Sequence, residues 1–202
     1  EAFPHVDAAN SDSLRRALEG MDRALLVTPL DYRAGLQDDA QKSQNMIQAA
    51  KEVGVQRVVH IGSWTVKAPQ ELPILAARFA PTEEYLKSEI GSSMEWTVLR
   101  GGYFMSNLAH VHGESIQSNQ TMVSVPDCFL PPVDVRDIGE AAAALLDGEH
   151  DEDYASTYNQ SFVECSGPEL LSHRDMAAEL SAGVGVSIQY IPADLWSDRN
   201  SE

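Results

Sequence analysis

The chain has 202 residues, enough for one domain with a sizeable core. Hydrophobic residues make up 43% and charged residues 22%, a composition typical of a globular protein and not of a disordered or fibrous one. The 31 acidic residues outnumber the 14 Lys and Arg residues, for a formal net charge of −17. This excess disfavours direct nucleic-acid binding, because that binding needs Lys and Arg against phosphates.

The acidic charge is concentrated in the second half of the chain. Residues 101–202 carry 17 acidic and 3 basic side chains, net −14, against 14 and 11, net −3, in residues 1–100. An anionic ligand is therefore expected against the first half. The apolar runs are too short for a membrane span, no signal peptide opens the chain, and Cys128 and Cys165 fit no metal or disulfide framework. We expect a cytoplasmic protein that does not bind membranes.

The first half alternates predicted strands and helices. A strand ends at Phe3–Val6, and a helix capped by Asn10 or Ser11 ends at Gly20. Further predicted strands are Ala24–Thr28, Arg57–Ile61 and Glu95–Leu99; further predicted helices are Asp38–Val53, ending at Gly54, and Thr82–Ile90, capped by Thr82, with an irregular stretch over Lys67–Ala80. Continuous apolar runs such as these strands are typical of a parallel sheet that is buried on both faces.

The second half has shorter elements. The predicted strands are Met122–Val125, Pro132–Val135, Tyr154–Val163 and Val186–Ile191; the predicted helices are Ile138–Leu146, opened by Asp137-x-x-Glu140 and ended by Gly148, and Ser172–Ala182. The pattern predicts an α/β fold with a doubly wound parallel sheet and a small C-terminal α+β lobe. We divide the chain into residues 1–110 and 111–202, with strands able to join either part.

Polar and glycine residues follow the predicted parallel strands. They are Asp7, Thr28-Pro29, Gly62-Ser63 and Gly101-Gly102-Tyr103. Because ligands of open α/β sheets bind outside the carboxyl ends of the strands, we expect one cleft there, formed by Thr28, Pro29, Ser63, Gly102 and Tyr103. Ordinary turn chemistry is the alternative for each of these residues taken singly.

Other catalytic and ligand-binding patterns are incomplete in this sequence. Gly183-x-Gly185 follows a predicted helix and is interpreted as a helix stop, not a phosphate loop. Tyr85 is followed four residues later by Glu89 and not by the lysine that would lower the pKa of a catalytic phenol. His110-x-His112 lacks further ligands, so no metal site is predicted.

Several segments resemble, in order, the NmrA-like branch of atypical short-chain dehydrogenases. They are Leu26–Pro29 (LVTP), Asn45–Val59 (NMIQAAKEVGVQRVV), Thr82–Leu86 (TEEYL), Trp96–Leu108 (WTVLRGGYFMSNL) and Val133–Gly139 (VDVRDIG). The resemblance implies a Rossmann-like fold that binds NADP or NAD. It places Asp7-Ala8 beside the adenine, Thr28-Pro29-Leu30 on the nicotinamide side, and Gly102, Tyr103, Phe104 and Met105 over the cofactor. Ser63, Tyr85 and Tyr103 are the candidates for orienting a substrate.

The family includes quinone and isoflavone-type reductases as well as regulators that sense dinucleotides. The resemblance therefore implies either NAD(P)H-dependent reduction of a quinone or enone-like molecule, or a redox sensor with a protein partner. A scaffold that binds no dinucleotide is a third alternative. The resemblance differs from the family pattern in three ways. The lysine that reductases carry before the Glu-Glu-Tyr helix would fall near Phe79, where this chain has no lysine. Relatives continue beyond Asp194–Trp196, and the family's first strands and glycine loop are expected before residue 1. We therefore expect weak dinucleotide binding by these 202 residues and tighter binding by a chain extended upstream.

Overall fold

The computed structural model describes residues 6–28, 36–70, 73–124, 126, 128–148 and 157–193. The chain forms two compact units, Glu1–Gly101 with Ile138–Cys165, and Gly102–Asp137 with Ser166–Glu202. The sequence-based division placed one boundary after residue 110. In the structure the chain leaves the first unit after Gly101 and returns to it over Ile138–Cys165.

The described elements follow one another in this chain order. The helices are α1 (Ser11–Leu18), α2 (Leu36–Glu52), α3 (Pro73–Tyr85), α4 (Ser106–His110), α5 (Gly113–Asn119), α6 (Val135–Asp147) and α7 (His173–Val184). The strands are β1 (Arg23–Val27), β2 (Arg57–Ser63), β3 (Glu95–Gly101), β4 (Tyr103–Phe104), β5 (Thr121–Ser124), β6 (Phe129–Leu130), β7 (Pro132–Val133), β8 (Ser161–Cys165), β9 (Leu171–Ser172) and β10 (Gln189–Pro192). Trp64–Lys67 and Gly91–Ser93 are short 3₁₀ turns, and a π-helical segment, Leu86–Ile90, continues α3.

The first unit is built on a parallel sheet with the strand order β1-β2-β3-β8. The predicted Rossmann-like α/β fold, with adjacent parallel strands around Val27, Val59 and Val98, is therefore confirmed. One face of the sheet packs against the helices through a core that includes Leu26, Ile47, Val58, Trp96 and Val98. The helices connect successive parallel strands, as parallel pairing requires.

The prediction that each strand is buried on both faces is wrong for β1. Ala24 and Leu26 are buried, whereas Leu25 is 43% and Val27 57% exposed. Among the described residues, β1 pairs only with β2 and lies at the edge of the sheet. An edge strand is covered less completely than a central one, whereas β2 is buried along most of its length.

The structure confirms the helix ends that were predicted from capping residues and glycines. The Asn10 side chain caps α1 by accepting a hydrogen bond from the Ser13 N–H, and Gly20 has a φ of +74° just after the helix. Gly54 and Gly148 also have positive φ, after α2 and α6. Gly185 adopts the left-handed conformation after α7, which confirms the helix stop at Gly183-x-Gly185.

Two predicted helix starts are wrong. The structure begins α3 at Pro73, so Thr82 is a buried residue inside that helix and not its cap. The helix runs through Pro81 although proline lacks the N–H for the helical bond, because Ala76, Arg78 and Thr82 are all buried against the unit.

Helix α6 begins at Val135 and not at Ile138. Asp134 caps it by accepting the Arg136 N–H at 2.8 Å, so the Asp137-x-x-Glu140 pair lies within the helix. The sequence contained two acidic cap signals three residues apart. The upstream residue, Asp134, caps the start of the helix because β7 ends immediately before it, at Val133.

The second unit consists of small sheets with short helices. Strand β4 pairs in parallel with β7, β5 in parallel with β10, and β6 antiparallel with β9. Helix α7 opens with a capping box, in which the Ser172 side chain and Asp175 bond each other's backbone N–H groups. These elements agree with the predicted small α+β lobe.

Candidate functional site

The parallel register brings three strand ends to one edge of the sheet. Ser63, the last residue of β2, is level with Gly101, the last residue of β3. Thr28 directly follows Val27, which is paired with Ile61. The structure therefore places Thr28, Ser63 and Gly101 together at the carboxyl edge, where open α/β sheets bind ligands.

The remaining residues predicted for this cleft are outside the described residues or in the second unit. Pro29 and Leu30 lie outside the described residues. Gly102, Tyr103, Phe104 and Met105 belong to the second unit. Their convergence with Thr28 and Ser63 stays a prediction.

The hydroxyl groups of Thr28 and Ser63 differ in whether they can form a hydrogen bond to a ligand. Thr28 is buried, and its Oγ1 lies 2.5 Å from the Oγ of Ser43 in α2. Ser63 Oγ accepts hydrogen bonds from the Thr65 N–H at 3.3 Å and from the Thr65 hydroxyl at 2.9 Å. Because these bonds use only the lone pairs of Ser63, its own proton remains available for a ligand oxygen.

An ion pair that the sequence analysis missed lies directly below this edge. Arg100, near the end of β3, donates from Nε to Glu83 Oε1 at 3.0 Å and from Nη2 to Oε2 at 2.7 Å. The guanidinium also lies over the Phe162 ring of β8, 4.5 Å from its centroid. Two parallel hydrogen bonds fix the orientation of the guanidinium as well as pairing its charge. Arg100 of β3 therefore contacts both α3 and β8 just before Gly101.

Gly62 has a packing role beside this pair. A Cβ at Gly62 would lie 2.7 Å from Val98 Cγ1 and 3.6 Å from Glu83 Oε1. The absent side chain leaves room for the Val98 side chain of the neighbouring strand β3, whereas the distance to Glu83 of α3 is an ordinary contact. The sequence marked Gly62 as part of a turn, whereas the structure places it inside β2.

The turn at Asp7-Ala8 is tied to α2. Asp7 Oδ1 accepts the Ala9 N–H at 2.8 Å, and Asn45 Nδ2 donates to the Ala8 carbonyl at 3.1 Å. The first of these bonds forms an Asx turn. These contacts stabilise the turn locally, and its predicted place beside an adenine stays a prediction.

Tyr85 lies in the helix layer and not at the carboxyl edge. Its hydroxyl donates to Gln48 Oε1 at 2.8 Å, one turn before the end of α2 and towards the amino end of β2. Burial, together with Glu89 and Glu52, raises the pKa of Tyr85. These surroundings oppose formation of a phenolate at this position.

In the second unit, the loop after Gly101 is held against β7 by backbone contacts. The Tyr103 N–H donates to the Pro131 carbonyl at 2.8 Å, and the Met105 N–H donates to the Val133 carbonyl at 2.9 Å. The Tyr103 ring packs edge-on against His173, with 6.1 Å between ring centroids. Burial raises the pKa of Tyr103, so its phenol stays protonated at neutral pH and can donate a hydrogen bond.

We expect Gly102→Ala to lower the free energy of unfolding by about 1–3 kcal/mol. The new Cβ would lie 2.2 Å from the Pro131 carbonyl oxygen, the same atom that accepts the Tyr103 N–H, so β4 would be forced away from β7. Urea unfolding measures the effect. Gly113→Ala in the same unit is the control, because its Cβ meets nothing within 4 Å. Equal stability of the two variants would contradict the packing role.

A family model matches nearly the whole chain. Residues 3–198 match the family described as NmrA-like. The chain belongs to the NmrA-like family. This membership agrees with the resemblance seen in Trp96–Leu108 and Asn45–Val59 and with the parallel sheet.

Relatives of this NmrA-like chain include reductases. It is 29% identical over 189 residues to an NAD(P)H azoreductase of Xenophilus azovorans, covering 94% of this chain and 60% of that protein. It is 27% identical over 178 residues to a (4-alkanoyl-5-oxo-2,5-dihydrofuran-3-yl)methyl phosphate reductase of Streptomyces griseus, covering 88% and 57%. The chain thus spans less than two thirds of the length of these curated relatives.

Solved structures share the fold of this NmrA-like chain. A triphenylmethane reductase of Citrobacter sp. complexed with NADP(H) is similar with a TM-score of 0.75 at 16% identity, covering 96% of this chain and 64% of that one. An NADPH-dependent quinone oxidoreductase of Escherichia coli complexed with NADPH has a TM-score of 0.70 at 22% identity, covering 92% and 60%.

Within the described residues, His, Cys, Asp and Glu form no group of three or more that could hold a metal ion. Within the same part of the chain, the helices are too short or too polar to cross a membrane.

Proposed function

We propose that this NmrA-like chain binds NADP(H) or NAD(H) and takes part in reducing a quinone or enone-like small molecule in the cytoplasm. The observation that carries the proposal is the alignment of Thr28, Ser63 and Gly101 at the carboxyl edge of a parallel sheet. In open α/β sheets this edge is the place where dinucleotides bind.

The described residues fit one part of a dinucleotide. The edge offers the Ser63 hydroxyl proton and the glycine backbone at Gly101, both uncharged, which suits a nicotinamide better than a phosphate. Diphosphates are normally held by N–H groups of a glycine loop at a helix N-terminus. The described residues do not include such a loop, so we assign Ser63 and Gly101 to the nicotinamide side and Asp7-Ala8 to the adenine, and no described residue to the diphosphate.

The comparisons support reduction over the alternatives. The azoreductase, the dihydrofuranyl phosphate reductase, the triphenylmethane reductase and the quinone oxidoreductase are all reductases by name. Three of these names include a nicotinamide dinucleotide. Their names refer to azo, dihydrofuran, triphenylmethane and quinone compounds, and we propose a quinone or enone-like small molecule as the substrate of this chain.

The proposed roles of the chain's own residues are binding and orientation. The bound nicotinamide would supply the hydride. Ser63 would donate a hydrogen bond to a carbonyl oxygen at the sheet edge, and Tyr103, kept protonated by burial, is the second proposed donor. The Glu83–Arg100 pair would hold the end of β3, and with it Gly101, in place.

The test of this function has a binding part and a turnover part. NADPH and NADH are titrated into the protein by nicotinamide fluorescence, and oxidation of the bound dinucleotide is followed at 340 nm with a naphthoquinone as acceptor. We expect weak dinucleotide binding by these 202 residues, and turnover. Binding without oxidation of any quinone, enone or azo acceptor would favour a dinucleotide-sensing regulator with a protein partner, and absence of both would contradict the proposal.

We expect Ser63→Ala to lower kcat/KM for the acceptor about tenfold, the value of one hydrogen bond made in the transition state. Ser93→Ala is the matched control, since Ser93 bonds the Ile90 carbonyl in the 3₁₀ turn before β3, at the opposite edge of the sheet. Equal activity of the two variants would remove Ser63 from the site.

A further inference from the structure

A series of four charged side chains leads from α3 to the carboxyl edge of the first unit. Glu83 and Arg100 form its buried end, and Arg100 Nη1 lies 3.9 Å from Glu164 Oε1. The same oxygen of Glu164 lies 2.7 Å from Lys67 Nζ. The exposed fraction of the side chains rises along the series, from 6% and 15% at the buried pair to 47% at Glu164 and 58% at Lys67. Lys67 is therefore the member of the series that a ligand reaches most easily from solvent.

The strand order determines where the Lys67 ammonium lies. Lys67 is the last residue of the 3₁₀ turn that follows β2, and Ser63 caps the start of that turn. Glu164 belongs to β8, and β3 lies between β2 and β8. Because neighbouring strands are about 4.8 Å apart, a contact from the turn after β2 to β8 spans about 10 Å across the end of β3. The ammonium therefore lies at the same edge of the sheet as Ser63 and Gly101.

Lys67 has hydrogen-bonding capacity beyond its ion pair. An ammonium carries three protons, and the contact with Glu164 uses one of them. Arg100 differs, because its guanidinium makes two hydrogen bonds with Glu83 and is largely buried. The Ser63 hydroxyl can donate a hydrogen bond at this edge, but an alcohol is a much weaker acid than an ammonium ion. Of these three groups, the Lys67 ammonium is the one suited to release a proton to a ligand oxygen.

We propose that Lys67, held at the sheet edge by Glu164, donates the proton that completes reduction of the acceptor. The proposal rests on the proposed reductase function and names the residue that carries the proton. Reduction of a quinone or enone by two electrons adds a hydride, which comes from the dinucleotide, and a proton, which passes from Lys67 Nζ to the acceptor oxygen. The resulting neutral amine takes up a proton from water, so Lys67 returns to its starting form.

A pair of probes tests, without turnover, whether a ligand oxygen lies beside Lys67. 2-Hydroxy-1,4-naphthoquinone is an anion at neutral pH, and 2-methoxy-1,4-naphthoquinone is its neutral methyl ether. Calorimetric titration in the presence of NADP⁺ measures both affinities, because the oxidised dinucleotide cannot reduce either probe. We expect Lys67→Met to weaken binding of the anion about two- to fivefold, the range of an exposed ion pair, and to leave the ether unchanged. Equal effects on the two probes, or no effect on the anion, would overturn the proposal.

Lys51→Met is the matched control for net charge. Lys51 belongs to the same unit, and its ammonium donates to the Glu89 carbonyl at 3.3 Å. It lies near the end of α2 that precedes β2, and thus at the opposite edge of the sheet. We expect this variant to bind both probes as tightly as the unsubstituted chain. A loss of anion binding equal to that of Lys67→Met would indicate a general effect of net charge and would overturn the proposal.

Turnover separates proton donation from the effect of charge alone. With NADPH and a naphthoquinone, we expect Lys67→Met to lower kcat about a hundredfold, the lower end of the range for general-acid catalysis. Lys67→Arg keeps the positive charge, but a guanidinium does not release a proton at neutral pH. We expect Lys67→Arg to bind the anionic probe about as tightly as the unsubstituted chain and still to lower kcat at least about tenfold. Full kcat in Lys67→Arg would overturn the assignment of the proton donor.

The outcomes distinguish this proposal from the proposed function. Oxidation of NADPH at an unchanged rate in Lys67→Met would overturn the role of Lys67 and leave the reductase function in place. Absence of oxidation in the unsubstituted chain would contradict the reductase function, and this proposal with it.

Discussion

Asp39→Asn is expected to lower the free energy of unfolding by about 3–5 kcal/mol. Asp39 Oδ2 lies 3.0 Å from Arg78 Nε, joining α2 to α3, and the two side chains are 0% and 6% exposed. An asparagine keeps the shape of Asp39 but removes the negative charge beside the buried Arg78 guanidinium. That desolvated charge is the source of the loss, which urea unfolding measures.

The neighbouring residue provides the control. Asp38 is also in the first turn of α2, and it forms an ion pair with Lys42 one turn away that is partly exposed to solvent. Asp38→Asn removes the same charge from the same helix end and is expected to cost no more than about 0.5 kcal/mol. Asp39→Leu with Arg78→Met removes both buried charges and is expected to be more stable than either single variant. Similar losses for Asp38→Asn and Asp39→Asn would contradict a buried pair.

The stability of the protein is expected to fall by about 3 kcal/mol as the pH is lowered from about 6.5 to about 4, through His60 alone. His60 lies in β2 and is 1% exposed, and neither ring nitrogen has a hydrogen-bond partner of good geometry among the described residues. Burial lowers the pKa of His60 from 6.5 to about 4, and the Leu26 backbone opposes this shift only in part. Between these two values the unfolded chain binds a proton that the folded chain does not.

The comparison with His60→Leu isolates this contribution. The leucine variant lacks the titrating ring, so the other histidines cancel in the difference between the two proteins. We expect the difference in unfolding free energy to be constant above pH 6.5, to change by about 3 kcal/mol in favour of the variant towards pH 4, and to level off below that pH. Urea unfolding at a series of pH values measures it. Parallel pH profiles would contradict a buried neutral His60.

Much of the first unit could be predicted from the sequence because its signals are local. A continuous apolar run such as Arg57–Ile61 has few alternatives to a buried strand, and Gly54 after α2 ends a helix wherever that helix lies. The alternation of these elements then requires parallel pairing. The edge position of Ser63 and Gly101 follows from that pairing alone.

Predictions failed where packing overrode a local signal. Lys67–Ala80 was predicted to be irregular, yet α3 begins at Pro73 and runs through Pro81, because Ala76, Arg78 and Thr82 are buried. The cofactor contact of Gly102 stays a prediction, but its packing was missed: the position of a Cβ at Gly102 is filled by the Pro131 carbonyl. No spacing rule could have indicated that contact, since the two residues pack against each other across an intervening stretch of chain.

The sequence by itself determined the family, the parallel α/β fold, the order of the elements and the edge at which Thr28 and Ser63 lie. Only the tertiary structure decided which charges are buried. Asp39 with Arg78 and Glu83 with Arg100 are pairs between separate elements far apart in the sequence, and no local signal predicts them, whereas Asp38 and Lys42 lie four residues apart in one helix and are partly exposed. The reason is physical: propensities and caps act within one or two turns of the chain, whereas the desolvation of a charge depends on every element packed around it.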